Sequence, residues 1–201
     1  MRKDFVYLAS ASPRRSELLR QIGVPFRVRP AAIPEEIRPG EAPDAYVLRL
    51  AAAKAATVWG AGGEGEARPV LAADTAVVLG DRVLGKPADA AQAEAMLADL
   101  SGRTHRVLTA VAVHTADGAE MLLSASEVRF RATTAAERRA YCATGEPYDK
   151  AGGYGIQGRA AVFVEHLQGS YSGVMGLPLY ETATLLARHG IEFWLDTVAA
   201  A

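Results

Sequence analysis

The chain has 201 residues, half of them hydrophobic, which is enough for one sizeable core in a single domain or in two packed lobes. Its 22 lysines and arginines against 23 acidic residues leave a net charge of −1, so no global basic field exists to hold nucleic acid or a membrane surface, and any anion site has to be local. The single cysteine, Cys142, excludes an internal disulfide and a multi-cysteine zinc site, and no stretch approaches the roughly 20 apolar residues of a membrane span. The apolar run at residues 5–8 is too short for a signal peptide, so a cytoplasmic protein is expected.

In chain order, Phe5 to Leu8 reads as a short apolar strand. From Ser16 onward Leu18, Leu19 and Ile22 recur at helical spacing until Gly23 and Pro25, which places Ser12 at the N-cap and Pro13 at the first helical position. Arg14 and Arg15 then occupy a first turn whose N–H groups and dipole already favour an anion. Either the pair is simply solvated there, or a phosphate supplies the missing charge, with hydroxyls and guanidinium forks closing on it. A second helix is predicted from about Asp44 to Trp59. Val47, Leu50 and Val58 mark its apolar stripe, and Lys54 lies on that stripe, so its ammonium either snorkels to the surface or points into a cleft. The glycine-rich stretch 60–68 is expected to be a flexible surface loop.

Val70 to Leu79 is apolar or β-branched apart from Asp74, which Thr75 follows, and Gly80-Asp81 turns it into a hairpin with Arg82 to Leu84. A carboxylate in the middle of an apolar strand must be paired, hydrogen-bonded, metal-bound or placed at a cleft mouth; a local bend closed by Asp74 and Thr75 is the alternative. Gly85-Lys86-Pro87 follows. Asp89 with Gln92 opens a helix to Leu100 that Gly102 stops. Strands from Val107 to His114 and from Met121 to Phe130 are joined through Asp117-Gly118, and Thr134 with Glu137 opens a helix ended by Gly145, in which Cys142 reads as a packing thiol. Residues 146–158, EPYDKAGGYGIQG, form a glycine-dense loop of the kind that lets backbone approach a ligand. A strand from Ala161 to Leu167, a turn-rich return from Gly169 to Gly176, a helix from Leu179 to Arg188 and a last strand from Ile191 to Leu195 follow. His105, His114, His166 and His189 share no metal-ligand spacing and are read as structural or exposed.

The cationic helix start, Lys54, Lys86 and Lys150, set against Glu35, Asp74 and Asp149, suits a compact polyanion such as a triphosphate. Carboxylates beside phosphates need a divalent cation between them, which is the charge arrangement of phosphoryl and nucleotidyl transfer. Gly85-Lys86 lacks the spacing of a Walker A motif, so a small P-loop kinase is not expected.

Ser10-Ala11-Ser12-Pro13-Arg14-Arg15, Ala73-Asp74-Thr75, Gly85-Lys86-Pro87, the run from Asp149 to Gly158, and Gly176-Leu177-Pro178 together resemble the Maf family of nucleoside triphosphate pyrophosphatases, in that family's order and from about Phe5 to Leu186. The resemblance implies one Maf domain over residues 1–201. Its implied fold is α/β, similar to that of the inosine triphosphate pyrophosphatases: an elongated mixed β-sheet flanked by helices in two lobes around a central substrate cleft. It further implies metal-dependent cleavage between the α and β phosphates, releasing a nucleoside monophosphate and pyrophosphate, by a cytoplasmic homodimer with no stable nucleic-acid partner. Asp74 is implied as the proton acceptor for the attacking water, with Lys54, Lys86 and Glu35 as polar members of the catalytic site and Asp74 and Glu35 holding Mg²⁺ or Mn²⁺. Ser10, Ser12, Arg14, Arg15, Thr75, Lys150 and Gln157 are implied to bind substrate. Pro34 in the run AIPEEIRPGE blurs the register there, so Glu36 is the alternative to Glu35. Arg14, Thr75 and Gln157 resemble the branch acting on dTTP and UTP rather than the one acting on 7-methyl-GTP. A glutamine amide offers both a donor and an acceptor to the carbonyl and N3–H edge of uracil or thymine. Family members are also associated with inhibition of septum formation, so a nucleotide-binding regulator of cell division with little turnover is the competing expectation.

Overall fold

The computed structural model describes residues 5–61 and 68–194. The expected flexible loop at 60–68 falls largely on residues 62–67, outside the described residues. Seven strands among the described residues join in one mixed sheet of order β2-β1-β3-β5-β6-β7, with β4 paired to β3.

The sheet begins with β1 (Val6–Leu8), which is parallel to β2 (Phe26–Val28) on one side and to β3 (Val70–Leu79) on the other. Parallel neighbours need crossovers, and the two here are the helices α1 (Pro13–Gln21) and α2 (Pro43–Gly60). β2 was not visible in the sequence. Its three residues are half-buried or exposed with no alternation, and its register with β1 rather than an apolar pattern makes it a strand. Gly80, at φ +62, turns β3 antiparallel into β4 (Arg82–Leu84) as expected. α3 (Ala90–Leu100) starts where Asp89 accepts from the Gln92 N–H, and Gln92 in return accepts from Ala88 N–H, one residue outside the usual box.

β5 (Thr104–Thr115) and β6 (Gly118–Phe130) are longer than their apolar centres suggested, because the two-residue turn between them lets polar ends keep pairing. α4 (Ala135–Cys142) has the full capping box of Thr134 and Glu137, and Cys142 is a buried free thiol. The expected strand from Ala161 is corrected: Arg159–Phe163 is a 3-10 segment, and only then does β7 (Val164–Gln168) run antiparallel to β6. Ala160 and Phe163 are buried while Ala161 and Val162 are exposed, a three-residue period that a strand cannot satisfy. The return to Gly176 contains a short helix, α5 (Tyr171–Met175), whose Gly173 N–H is capped by the Ser170 hydroxyl. α6 (Leu179–Arg188) ends at Gly190, φ +64.

The last strand expected at 191–195 is not formed in its described part. Residues 191–194 have no regular structure, Trp194 adopts φ +62, and its N–H donates to Ile22 O at 2.7 Å, so the segment closes on the end of α1 and not on a strand edge. Leu195 lies outside the described residues.

The chain divides into two compact units, one drawn from Met1–Asp74, Thr109–Ser124 and Gly176–Ala201, the other from Thr75–Leu108 and Ala125–Met175. The first buries Val6, Leu8, Leu19, Leu50, Leu71, Leu177, Leu185 and Leu186 with many alanines, so its backbones pack closely. The second has an aromatic centre in which Phe130 meets the rings of His105, Tyr154 and Phe163, and Phe163 meets Tyr141.

Candidate functional site

In the first unit, β1 delivers Ser10 and α1 begins three residues later. Ser12 stands at the N-cap with extended dihedrals, but its hydroxyl makes no capping bond. Instead the Ser12 N–H donates to the Ser10 hydroxyl at 3.2 Å, and Ser10 also accepts from Arg15 Nη1 at 3.1 Å. Arg15 Nε donates to Gly176 O at 2.7 Å, so the guanidinium is folded back between the helix start and the Gly176-Leu177-Pro178 turn. Burial lowers the Arg15 pKa, opposed by the negative charge of Asp74. Arg14, beside it in the first turn, is half-buried, and no acidic residue lies in that turn.

The helical stripe of α2 settles the direction of Lys54. With Leu50 four residues before it and Val58 four after, its side chain is buried, and the ammonium reaches Asp74 Oδ1 at 2.6 Å and Glu35 Oε1 at 2.5 Å. It does not snorkel outward. Asp74 is the buried polar residue of β3, and burial raises its pKa against the charge and hydrogen bond of Lys54 and the charge of Arg15. A carboxylate that is buried, paired and yet raised in pKa is ready to accept a proton. Glu35 lies in a segment without helix or strand, and its carboxylate is the partner of Lys54, whereas Glu36 contributes a main-chain carbonyl that accepts from Arg49. Asp74 and Glu35 thus share one ammonium, with Arg15 close enough for its pKa to feel both.

Among the described residues no group of three or more His, Cys, Asp or Glu side chains forms a protein cage for a metal ion. Two carboxylates converging on one point are nevertheless the usual protein share of a magnesium site whose other ligands are water and phosphate oxygens. The donor set fits such a cation.

Tyr46 is a neighbour that the sequence reading missed. It falls on the stripe of Leu50 and Lys54, and its hydroxyl donates to Glu35 O at 3.0 Å. Its pKa is pushed up to about 12 by burial first and then by Asp74 and Glu35. The 46, 50, 54 spacing was the available signal.

In the second unit, Thr75 is half-buried in β3, while Lys86 and Gln157 are exposed. The Gly85-Lys86-Pro87 segment is stitched to the glycine loop: Gly152 N–H donates to Gly85 O at 3.0 Å, and Pro87 lies under Gly153. Lys150 Nζ donates to Asp149 Oδ1 at 2.6 Å and to Glu146 O at 2.7 Å, so it is occupied inside its own loop. The glycines also serve that loop. A Cβ on Gly152 would sit 2.9 Å from Val77, and one on Gly158 would strike the Glu146 carboxylate. Glu146, unremarked in the sequence, accepts from Tyr141 OH at 2.9 Å and from Arg159 N–H at 3.0 Å, clasping both ends of the loop. His105 is buried against Tyr154 OH at 2.7 Å, and desolvation lowers its pKa to about 4.

Residues 5–189 match the family described as Maf-like protein. Among curated relatives, the chain is 56% identical over 195 residues to a dTTP/UTP pyrophosphatase of Ralstonia nicotianae, covering 92% of this chain and 94% of that protein. A dTTP/UTP pyrophosphatase of Cupriavidus metallidurans is 54% identical over 202 residues, covering 94% and 99%. One of Bordetella avium is 55% identical over 192 residues, covering 92% and 96%.

Proposed function

The chain belongs to the Maf-like proteins, and on that premise we propose that it hydrolyses nucleoside triphosphates, dTTP and UTP first among them, between the α and β phosphates to release a nucleoside monophosphate and pyrophosphate. The observation that carries this reading is the buried Lys54–Asp74 pair with Glu35 on the same ammonium. Asp74, with a pKa raised by burial, takes the proton of the attacking water. Lys54 keeps that carboxylate oriented, and its charge, with those of Arg15 and Arg14, offsets the negative charge of the phosphates. The Ser10 hydroxyl holds Arg15 at the helix start and donates to a phosphate oxygen. Ser12, whose hydroxyl makes no cap, is assigned to the same phosphates.

Asp74 and Glu35 would hold Mg²⁺ or Mn²⁺ together with phosphate oxygens. Bound there, the cation neutralises charge on the phosphates and the leaving pyrophosphate. Lys86 and Lys150 are assigned to the substrate on the family resemblance, as are Arg14, Thr75 and Gln157 to the choice of a pyrimidine base. The working form is a cytoplasmic homodimer with both units in one Maf domain. The names of the relatives are those of enzymes, so a septation regulator without turnover is not favoured.

Purified protein given Mg²⁺ or Mn²⁺ and a panel of UTP, dTTP, CTP, GTP and 7-methyl-GTP should release pyrophosphate, fastest from UTP and dTTP. Orthophosphate as the only product, or no turnover of those two, would refute the reading.

A further inference from the structure

The segment at residues 29–42 that carries Glu35 has no helix or strand and no buried apolar side chain. Apolar packing therefore does not fix its course. The Lys54–Glu35 pair does little by itself, because the Glu35 side chain is 45% exposed and such pairs are weakened by solvent and by the entropy of two long side chains. Arg29 anchors its start, through its N–H to Leu8 O and its Nη2 to Ala61 O, and beyond that the segment is held by polar bonds from one face of α2. Tyr46 OH donates to Glu35 O at 3.0 Å, and Arg49 Nη2 donates to Glu36 O at 3.0 Å. Arg49 also grips Glu41 with two parallel bonds, Nε to Oε1 at 2.5 Å and Nη2 to Oε2 at 2.6 Å, while Glu41 Oε2 accepts from Arg38 N–H at 3.0 Å.

We propose that Tyr46 and Arg49 are positioning residues: by holding the main-chain carbonyls of Glu35 and Glu36 they fasten an otherwise unpacked strap to α2 and keep the Glu35 carboxylate on the Lys54–Asp74 pair. Tyr46, Leu50 and Lys54 are successive residues of one stripe, so the helix that delivers the ammonium also sets the height of the strap above it. Arg49 adds direction. A fork closed on Glu41 leaves Nη2 one orientation from which to reach Glu36 O. This rests on the assignment of Glu35 to the cation in the proposed function.

The test measures Mn²⁺ binding by electron paramagnetic resonance, with a non-hydrolysable α,β-imido analogue of UTP present, alongside UTP turnover and amide exchange of residues 31–42. Tyr46→Phe should weaken Mn²⁺ binding by about 10-fold, the scale for groups that orient a ligand, with a melting temperature within about 3 °C of the parent and faster exchange in the strap. Arg49→Lys, which keeps the charge and loses the fork, should act in the same direction through a second residue. In a Glu35→Gln background Tyr46→Phe should add nothing further. A Tyr46→Phe penalty of equal size in both backgrounds, or none in either variant, overturns the positioning role and leaves Glu35 assigned. A Glu35→Gln protein with unchanged Mn²⁺ binding and turnover removes Glu35 from the proposed function, and this inference with it.

Discussion

Lys54→Met is the substitution that puts most weight on the site as built. Methionine keeps the stem of the side chain but leaves Asp74 buried without its ammonium; the two side chains are only 10% and 8% exposed. Breaking one partner out of a buried ion pair costs about 3–5 kcal/mol, and partial hydration around the exposed Glu35 argues for the low end. About 3 kcal/mol in a chain of this length lowers the melting temperature by roughly 6–12 °C. The loss should depend on pH in a defined direction. Burial already holds the folded pKa of Asp74 above its ordinary value against the pull of Lys54, and removing the ammonium raises it further. Between the unfolded and the folded pKa the native protein retains a proton that the unfolded chain has released. Stability therefore falls as pH rises through that window and returns on acidification. Thermal melts of Lys54→Met and the parent from pH 8 to pH 5, without nucleotide or metal, should show the gap narrowing toward acid. A gap that is constant with pH, or a variant that melts with the parent at pH 8, would refute this account of the pair.

Asp74→Asn should retain nucleotide binding while pyrophosphate release from UTP falls by about 10²–10⁴-fold, and an active variant would remove Asp74 as the base. His105 titrates in the opposite sense to Asp74. Its folded pKa of about 4 lies below the ordinary 6.5, so the unfolded chain binds more protons between those values, and up to about 3 kcal/mol is lost as pH falls from 6.5 to 4. His105→Gln keeps a partner for Tyr154 OH and should flatten that acid limb in melts; an unchanged limb would clear His105 of it. Gly158→Ala should cost about 1–3 kcal/mol by driving a methyl group into the Glu146 carboxylate, and far less in a Glu146→Ala background. Equal losses in both backgrounds would contradict the clasp.

Much of this architecture was legible because particular residues announce it. Asp89 with Gln92 and Thr134 with Glu137 mark helix starts, and the run Val70–Leu79 between a proline and a glycine marks its strand to the residue. The place of Lys54 on the apolar stripe was legible for the same reason, between Leu50 and Val58, but the spacing left both a snorkelling and an inward ammonium open, and its bonds to Asp74 and Glu35 decide for the inward one. The failures share a cause. β2 exists by pairing, the 159–163 segment by a three-residue burial period too short to recognise, and the 191–194 segment by one bond to Ile22. None of these leaves a local pattern. In the site, Glu35 could be guessed only by family register, because its segment has no period, and Glu146 and Tyr46 act through bonds to distant main-chain groups that composition does not encode.

The buried Cys142 has a practical consequence. It is the chain's only thiol, it belongs to the second unit, and burial raises its pKa, so a thiol reagent should react with it at a rate set by how often that unit opens. Both tryptophans, Trp59 and Trp194, belong to the first unit. The unmodified protein thus carries an optical reporter for one half and a chemical reporter for the other, and comparing their denaturant midpoints reads whether the halves unfold as one cooperative body or in turn.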